Sequence, residues 1–162
     1  MTRKERALAA VAALEKLYPE AVCSLRYAHP YELLIATRLS AQCTDARVNI
    51  VTKELFAKYP TLVSLAEARV EDIEAIVKPC GLFHTKARDI VGLSRMLLDC
   101  YGGELPDTME ELTKLPGVGR KTANLVLGDI FGKPAVVTDT HCIRICGRLG
   151  MYPETERDPY RV

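Results

Sequence analysis

The sequence has no tryptophan and only 6% aromatic residues, so any core has to be built from Leu, Val, Ile and Ala. Charge of one sign is also missing: the formal net charge is +1, and no chain-wide field marks a nucleic-acid or membrane binder. Any basic surface must be local. No apolar run approaches the ~20 residues that cross a bilayer, and Met1-Thr2-Arg3-Lys4-Glu5-Arg6 has no apolar segment behind it, which argues against a secretory leader. These absences predict a soluble, intracellular protein. The six cysteines, at 23, 43, 80, 100, 142 and 146, contain no Cys-x-x-Cys pair and no matching His pair. They read as small apolar side chains kept reduced and buried, with no metal ligand assigned among them. Cys142 and Cys146 could share a helix face, but two ligands do not make a zinc or iron site.

What is present is a folded chain's balance, 48% hydrophobic and 27% charged over 162 residues, enough for one domain or two small ones sharing a core. The pattern is helical nearly throughout. Thr2 and Glu5 have capping-box spacing ahead of Ala7, Val11, Leu14 and Leu17. Pro30 suits the first turn of a helix running to about Ser40. Thr44 or Asp45 can cap a third with Val48, Val51 and Leu55 on one face, and a fourth carries Val70, Ile73, Ile76 and Val77 before Pro79. A longer helix after Thr85 keeps Ile90, Val91, Ser94, Leu97, Leu98 and Tyr101 in phase until Gly102-Gly103. A short helix near Asp107–Leu112, another over Arg120–Phe131 and a last over Thr140–Leu149 complete the pattern. Ala135-Val136-Val137 is the one β-like stretch, too short for a sheet. The fold class is all-α.

The most informative stretch is Leu115-Pro116-Gly117-Val118-Gly119-Arg120-Lys121-Thr122-Ala123. Two glycines one residue apart permit a sharp turn and close backbone approach. A helix beginning at Arg120 turns unpaired N–H groups and its positive dipole end toward that turn, an anion seat suited to phosphate. The plain alternative is a helical corner whose glycines satisfy only sterics. Local charge favours the anion seat: Leu112–Gly150 holds six basic and two acidic residues, a local +4 in a chain of +1. Lys121 sits in that first turn, where the dipole and Arg120 both oppose a cation and favour a neutral amine able to attack carbon. Asp139 follows Val136-Val137 and stands where a helix N-cap belongs, which would by itself explain an Asp there. An amine and a carboxylate suit imine formation at a sugar carbon.

Leu115 to Asn124 resembles the helix-hairpin-helix of the endonuclease III family of base-excision DNA glycosylases. Asp139-Thr140-His141, with Arg144 after it, resembles the family's catalytic-Asp segment. Leu39-Ser40-Ala41-Gln42-Cys43-Thr44-Asp45 and Gly81-Leu82-Phe83-His84-Thr85-Lys86-Ala87 resemble its two DNA-probing loops. Four motifs in the family's order span nearly the whole chain.

The resemblance implies two helical domains with the active site in the cleft between them: a six-helix domain over 22–135 containing the hairpin, and a second domain from 1–21 and 136–162. It implies that Gly117, Val118 and Gly119 bind a DNA phosphate through backbone N–H groups, with Arg120 at the same contact. Lys121 would attack the anomeric carbon, expel the base and form a Schiff base that undergoes β-elimination. Asp139 would help deprotonate the amine and stabilise positive charge on the sugar. Gln42 would fill the gap left by a flipped nucleotide, and Leu82 would wedge into the opposite strand. The family ends in four cysteines holding a [4Fe–4S] cluster, so the cluster's ligands would lie beyond Val162, the chain would be a truncated form, and the second domain would be incomplete. The implied activity is excision of oxidised pyrimidines with lyase cleavage at abasic sites, by a cytoplasmic or nucleoid-associated monomer acting on damaged duplex DNA, with no membrane partner. Two alternatives stay open: a mismatch-adenine or other monofunctional glycosylase, and a non-catalytic DNA-binding hairpin module. A pure binding module would need the glycine turn but neither Lys121 nor Asp139.

Overall fold

The computed structural model describes residues 1–162. Nine α-helices and one 3₁₀ turn account for its regular structure, and no strand forms. The chain divides into two compact units, Cys23–Ala135 and the pair of segments Met1–Val22 with Val136–Val162.

The unit Cys23–Ala135 holds α2 (Pro30–Leu39), α3 (Asp45–Lys58), α4 (Leu62–Glu67), α5 (Val70–Val77), the 3₁₀ turn Lys78–Cys80, α6 (Phe83–Tyr101), α7 (Met109–Leu112) and α8 (Arg120–Asp129). Local chemistry fixes most of these boundaries. Pro30 opens α2, and the Glu32 carboxylate accepts from the Ala28 N–H, 2.6 Å. Thr44 rather than Asp45 caps α3, its hydroxyl accepting from the Arg47 N–H at 3.3 Å. α4 has no counterpart in the sequence reading, because six residues are too few to show a period; the reciprocal Thr61–Ser64 cap starts it. α6 begins at Phe83, two residues before Thr85, and ends as expected at a left-handed Gly102.

α2 and α6 run through the core. Leu33, Leu34, Ile35 and Leu39 of α2 are fully buried with Ile90, Leu93 and Leu97 of α6. α6 packs against α4 and α5, and α2 packs against α8, so the helix carrying Lys121 rests on the most buried helix of the unit. Burying such side chains contributes about 1.5–3 kcal/mol each relative to exposure.

The other unit holds α1 (Arg3–Leu17) and α9 (Thr140–Arg148). Thr2 and Glu5 form the expected capping box, yet no residue of α1 is buried, and Leu8, Val11, Leu14 and Leu17 stay more than half exposed. In α9 only Gly147 is buried. Polar ties organise this unit: Arg6 Nη1 donates to the Gly150 carbonyl at 2.8 Å, and the Tyr152 hydroxyl donates to the Ile143 carbonyl. Ala135-Val136-Val137 forms no strand. No helix is long and apolar enough to cross a membrane.

Candidate nucleic-acid interface and active site

The hairpin turn lies between α7 and α8. Leu115 and Val118 are buried and anchor it, and the Val118 N–H donates to the Leu115 carbonyl at 3.1 Å. That N–H closes the turn. Gly117 and Gly119 are exposed, as are Arg120 and Lys121 at the first two positions of α8. The two glycines differ. Gly117 has φ +74°, and a Cβ there would stand 2.5 Å from Asp89 Oδ2 and 2.6 Å from Arg38 Nε. Gly119 is extended at φ −96°, ψ 177°, with nothing within 4 Å of a Cβ. Only Gly117 is demanded by the fold.

Beneath Gly117 lies an ion pair that the sequence reading missed, Arg38 Nε to Asp89 Oδ2 at 2.7 Å, both side chains largely buried. It ties α2 to α6 directly under the turn. Nothing in the linear sequence relates residues 51 positions apart. α7 is held in turn by Glu111, which accepts from the Tyr101 hydroxyl at 2.5 Å and pairs with Lys114 at 2.5 Å. Lys114 and then Tyr101 hold the Glu111 carboxyl below its ordinary range, and the Glu111 bond pushes the Tyr101 phenol up to about 12.

Asp139 is the N-cap of α9, with Oδ1 accepting from the Cys142 N–H at 2.7 Å. It lies in Val136–Val162, and Lys121 lies in Cys23–Ala135. His141 is exposed and meets Arg144 Nη2 at 3.4 Å. The cysteine expectation needs correcting: Cys80 alone is buried, four others are half-buried and Cys100 is exposed. Cys142 and Cys146 do share a face, Sγ to Sγ 3.9 Å, and burial followed by the Cys146 neighbour pushes the Cys142 thiol up to about 11. Two thiols do not meet the four-ligand need of an iron–sulfur cluster, and no three His, Cys, Asp or Glu side chains gather into a metal-holding set.

The two expected probing residues share an unusual conformation. Gln42 (φ +56°) and Leu82 (φ +47°) are the chain's two non-glycine residues with positive φ. Left-handed backbone costs a non-glycine residue about 1–2 kcal/mol, and such strain concentrates at functional sites. Both side chains are exposed, so Leu82 is not a core leucine, and its left-handed backbone immediately precedes α6. The loops also meet beneath the surface. Burial and then the neighbouring Cys43 thiol push the Cys80 thiol up to about 11.

Residues 35–161 match the family model described as HhH-GPD superfamily base excision DNA repair protein. The chain is 49% identical over 162 residues to endonuclease III of Synechocystis sp. (strain ATCC 27184 / PCC 6803 / Kazusa), covering 99% of this chain and 73% of that one. The chain belongs to the endonuclease III family. Two solved structures resemble it over 97% of its length and 73% of theirs, both at 45% identity. One is a non-covalent endonuclease III–DNA complex, with a TM-score of 0.89. The other is a trapped endonuclease III–DNA covalent intermediate, an estranged-adenine complex, with a TM-score of 0.88. The all-helical HhH-GPD fold expected from the sequence is thus the family's own.

Proposed function

We propose that this chain carries the base-excision chemistry of its family: a DNA glycosylase with lyase activity at abasic sites, acting on double-stranded DNA. The observation that carries the reading is Lys121, exposed on the first turn of the helix that follows the Gly117–Gly119 turn, in a chain matched by the HhH-GPD model over 35–161. The Lys121 amine attacks the anomeric carbon as the glycosidic bond breaks and the base departs with the bonding pair. Loss of the amine's protons and opening of the sugar give a Schiff base. A proton then leaves the adjacent carbon, and the 3′ phosphate departs by β-elimination. Asp139 Oδ1 is occupied by the α9 cap, so its second oxygen is the one suited to take a proton from the amine or face the developing positive charge.

Gly117, Gly119 and the opening turn of α8, with Arg120, hold a backbone phosphate, while Val118 holds the turn. Gln42 and Leu82 enter the duplex from their two loops, one into the vacated position and one against the opposite strand. Oxidised pyrimidines are the substrate class, and the cytoplasm or nucleoid the place of action. No step above depends on the [4Fe–4S] cluster that the family suggests, and the residues present gather no ligand set for one. A non-catalytic binding module gives Lys121 no task.

Borohydride trapping tests the reading. A duplex with one oxidised pyrimidine or abasic site should become covalently linked to the protein through reduction of the Schiff base. Absence of any adduct from well-folded protein that still binds the abasic duplex would sink the lyase assignment.

A further inference from the structure

Lys86 is the largest fully buried side chain of the molecule, and the chemistry above gives it no role. Its ammonium donates to three backbone carbonyls: Leu39 at 2.9 Å, Ala41 at 2.8 Å and Cys80 at 2.8 Å. An ammonium has three N–H donors, so this set satisfies it completely. Leu39 is the last residue of α2, with Ala41 two residues beyond, and Cys80 ends the 3₁₀ turn. Carbonyls at helix ends carry partial negative charge, which suits a cation there. Ala41 directly precedes Gln42, and Cys80 stands two residues before Leu82. The three bonds therefore join the two segments bearing the chain's non-glycine residues with positive φ.

We infer that Lys86 is a positioning residue that fixes the Gln42 and Leu82 loops relative to each other, so that both enter damaged DNA in one registered step. The inference rests on the proposed role of those two residues. Burial disfavours the charged form of Lys86, and the neighbouring Cys80 and Cys43 act against that while Arg38 adds to it. A lysine kept buried at that cost, with no carboxylate partner, serves the carbonyls it bridges. A methionine fills similar volume and bridges nothing.

The test is a double-mutant cycle on the full-length protein. Affinity is measured for an intact duplex and for the same duplex carrying a tetrahydrofuran abasic analogue, with and without Gln42→Ala/Leu82→Ala. Lys86→Met should lower affinity for the abasic duplex by about tenfold and leave the intact duplex within about twofold, since backbone phosphate contacts do not pass through these loops. In the Gln42→Ala/Leu82→Ala background Lys86→Met should add nothing. Equal losses on both duplexes, or the same loss in both backgrounds, would overturn the positioning role. If Gln42→Ala/Leu82→Ala alone leaves the abasic preference intact, the loops do not probe DNA, and that reading fails whatever Lys86 does. Should Lys86→Met not fold, Lys86→Gln, which keeps two donors, takes its place in the cycle. Failure of both to fold would make Lys86 a structural residue and overturn the proposal.

Discussion

The two units hold the two side chains proposed to carry the chemistry in opposite ways. Cys23–Ala135 surrounds α2 and α6 with apolar side chains and sets Lys121 on α8, which packs directly against α2. Met1–Val22 with Val136–Val162 buries almost nothing of α1 and α9 and sets Asp139 by a single capping bond. Packing fixes the position of the amine, and a local hydrogen bond fixes that of the carboxylate. The two groups should therefore respond differently to substitution, one through chemistry alone and the other through chemistry and capping together.

The largest effect belongs to Lys121. Lys121→Gln removes the amine from an exposed site and disturbs no packing. The trapped adduct should vanish while affinity for duplex DNA stays within about tenfold, or 1.4 kcal/mol. An adduct that persists would mean another amine, such as the N-terminus, attacks the sugar.

Hydrogen exchange measures the contrast between the units directly. Amides of the central turns of α2 and α6 should open only with global unfolding, typically ~5–15 kcal/mol, whereas α1, with no buried residue, should open locally at far lower cost. Protection in this 162-residue chain should differ by at least ~1,000-fold between them, a gap of about 4 kcal/mol. Equal protection would mean that the exposed stripe of Val11, Leu14 and Leu17 is covered in solution, as it would be on self-association.

Asp139 comes next. Asn caps a helix about as well as Asp, so Asp139→Asn should keep α9 and move the melting temperature very little. Turnover should nevertheless fall by at least ~100-fold, the scale of a lost acid–base or electrostatic group. Near-normal turnover in that variant would reduce Asp139 to a cap.

How much of this was legible in the sequence follows the range of the interactions. The helices of α2, α3, α5 and α6, the Thr2 cap and the Gly102 stop rest on contacts within a few residues, and each could be read from spacing. The Lys121 and Asp139 assignments came from motif chemistry and resemblance, at positions that the fold then finds on a helix start and at an N-cap. What escaped is nonlocal or short: the six-residue α4, the Arg38–Asp89 pair under Gly117, and Lys86. One sign of Lys86 was available, because it stands four, eight and eleven residues before Ile90, Ser94 and Leu97, on the buried face of α6. A lysine in that phase calls for a buried partner. Which carbonyls supply it depends on residues up to 47 positions away, and no periodicity carries that.

The smallest effects separate the two hairpin glycines, which the sequence treats alike. Gly117→Ala forces a side chain into left-handed backbone and into the Arg38–Asp89 pair, so it should cost about 1–3 kcal/mol of stability together with affinity. Gly119 is extended and open, so Gly119→Ala meets no clash. It should cost under about 1 kcal/mol, from replacing a glycine N-cap by the poorer alanine. If the Gly119 backbone approaches phosphate, that Cβ should still weaken binding by up to about tenfold, alike for intact and damaged duplex, because phosphate contacts carry no sequence information. Thermal melts with binding to both duplexes resolve the pair. A Gly119→Ala protein as unstable as Gly117→Ala would contradict the turn geometry, and a loss confined to damaged DNA would move Gly119 from the phosphate contact to the lesion.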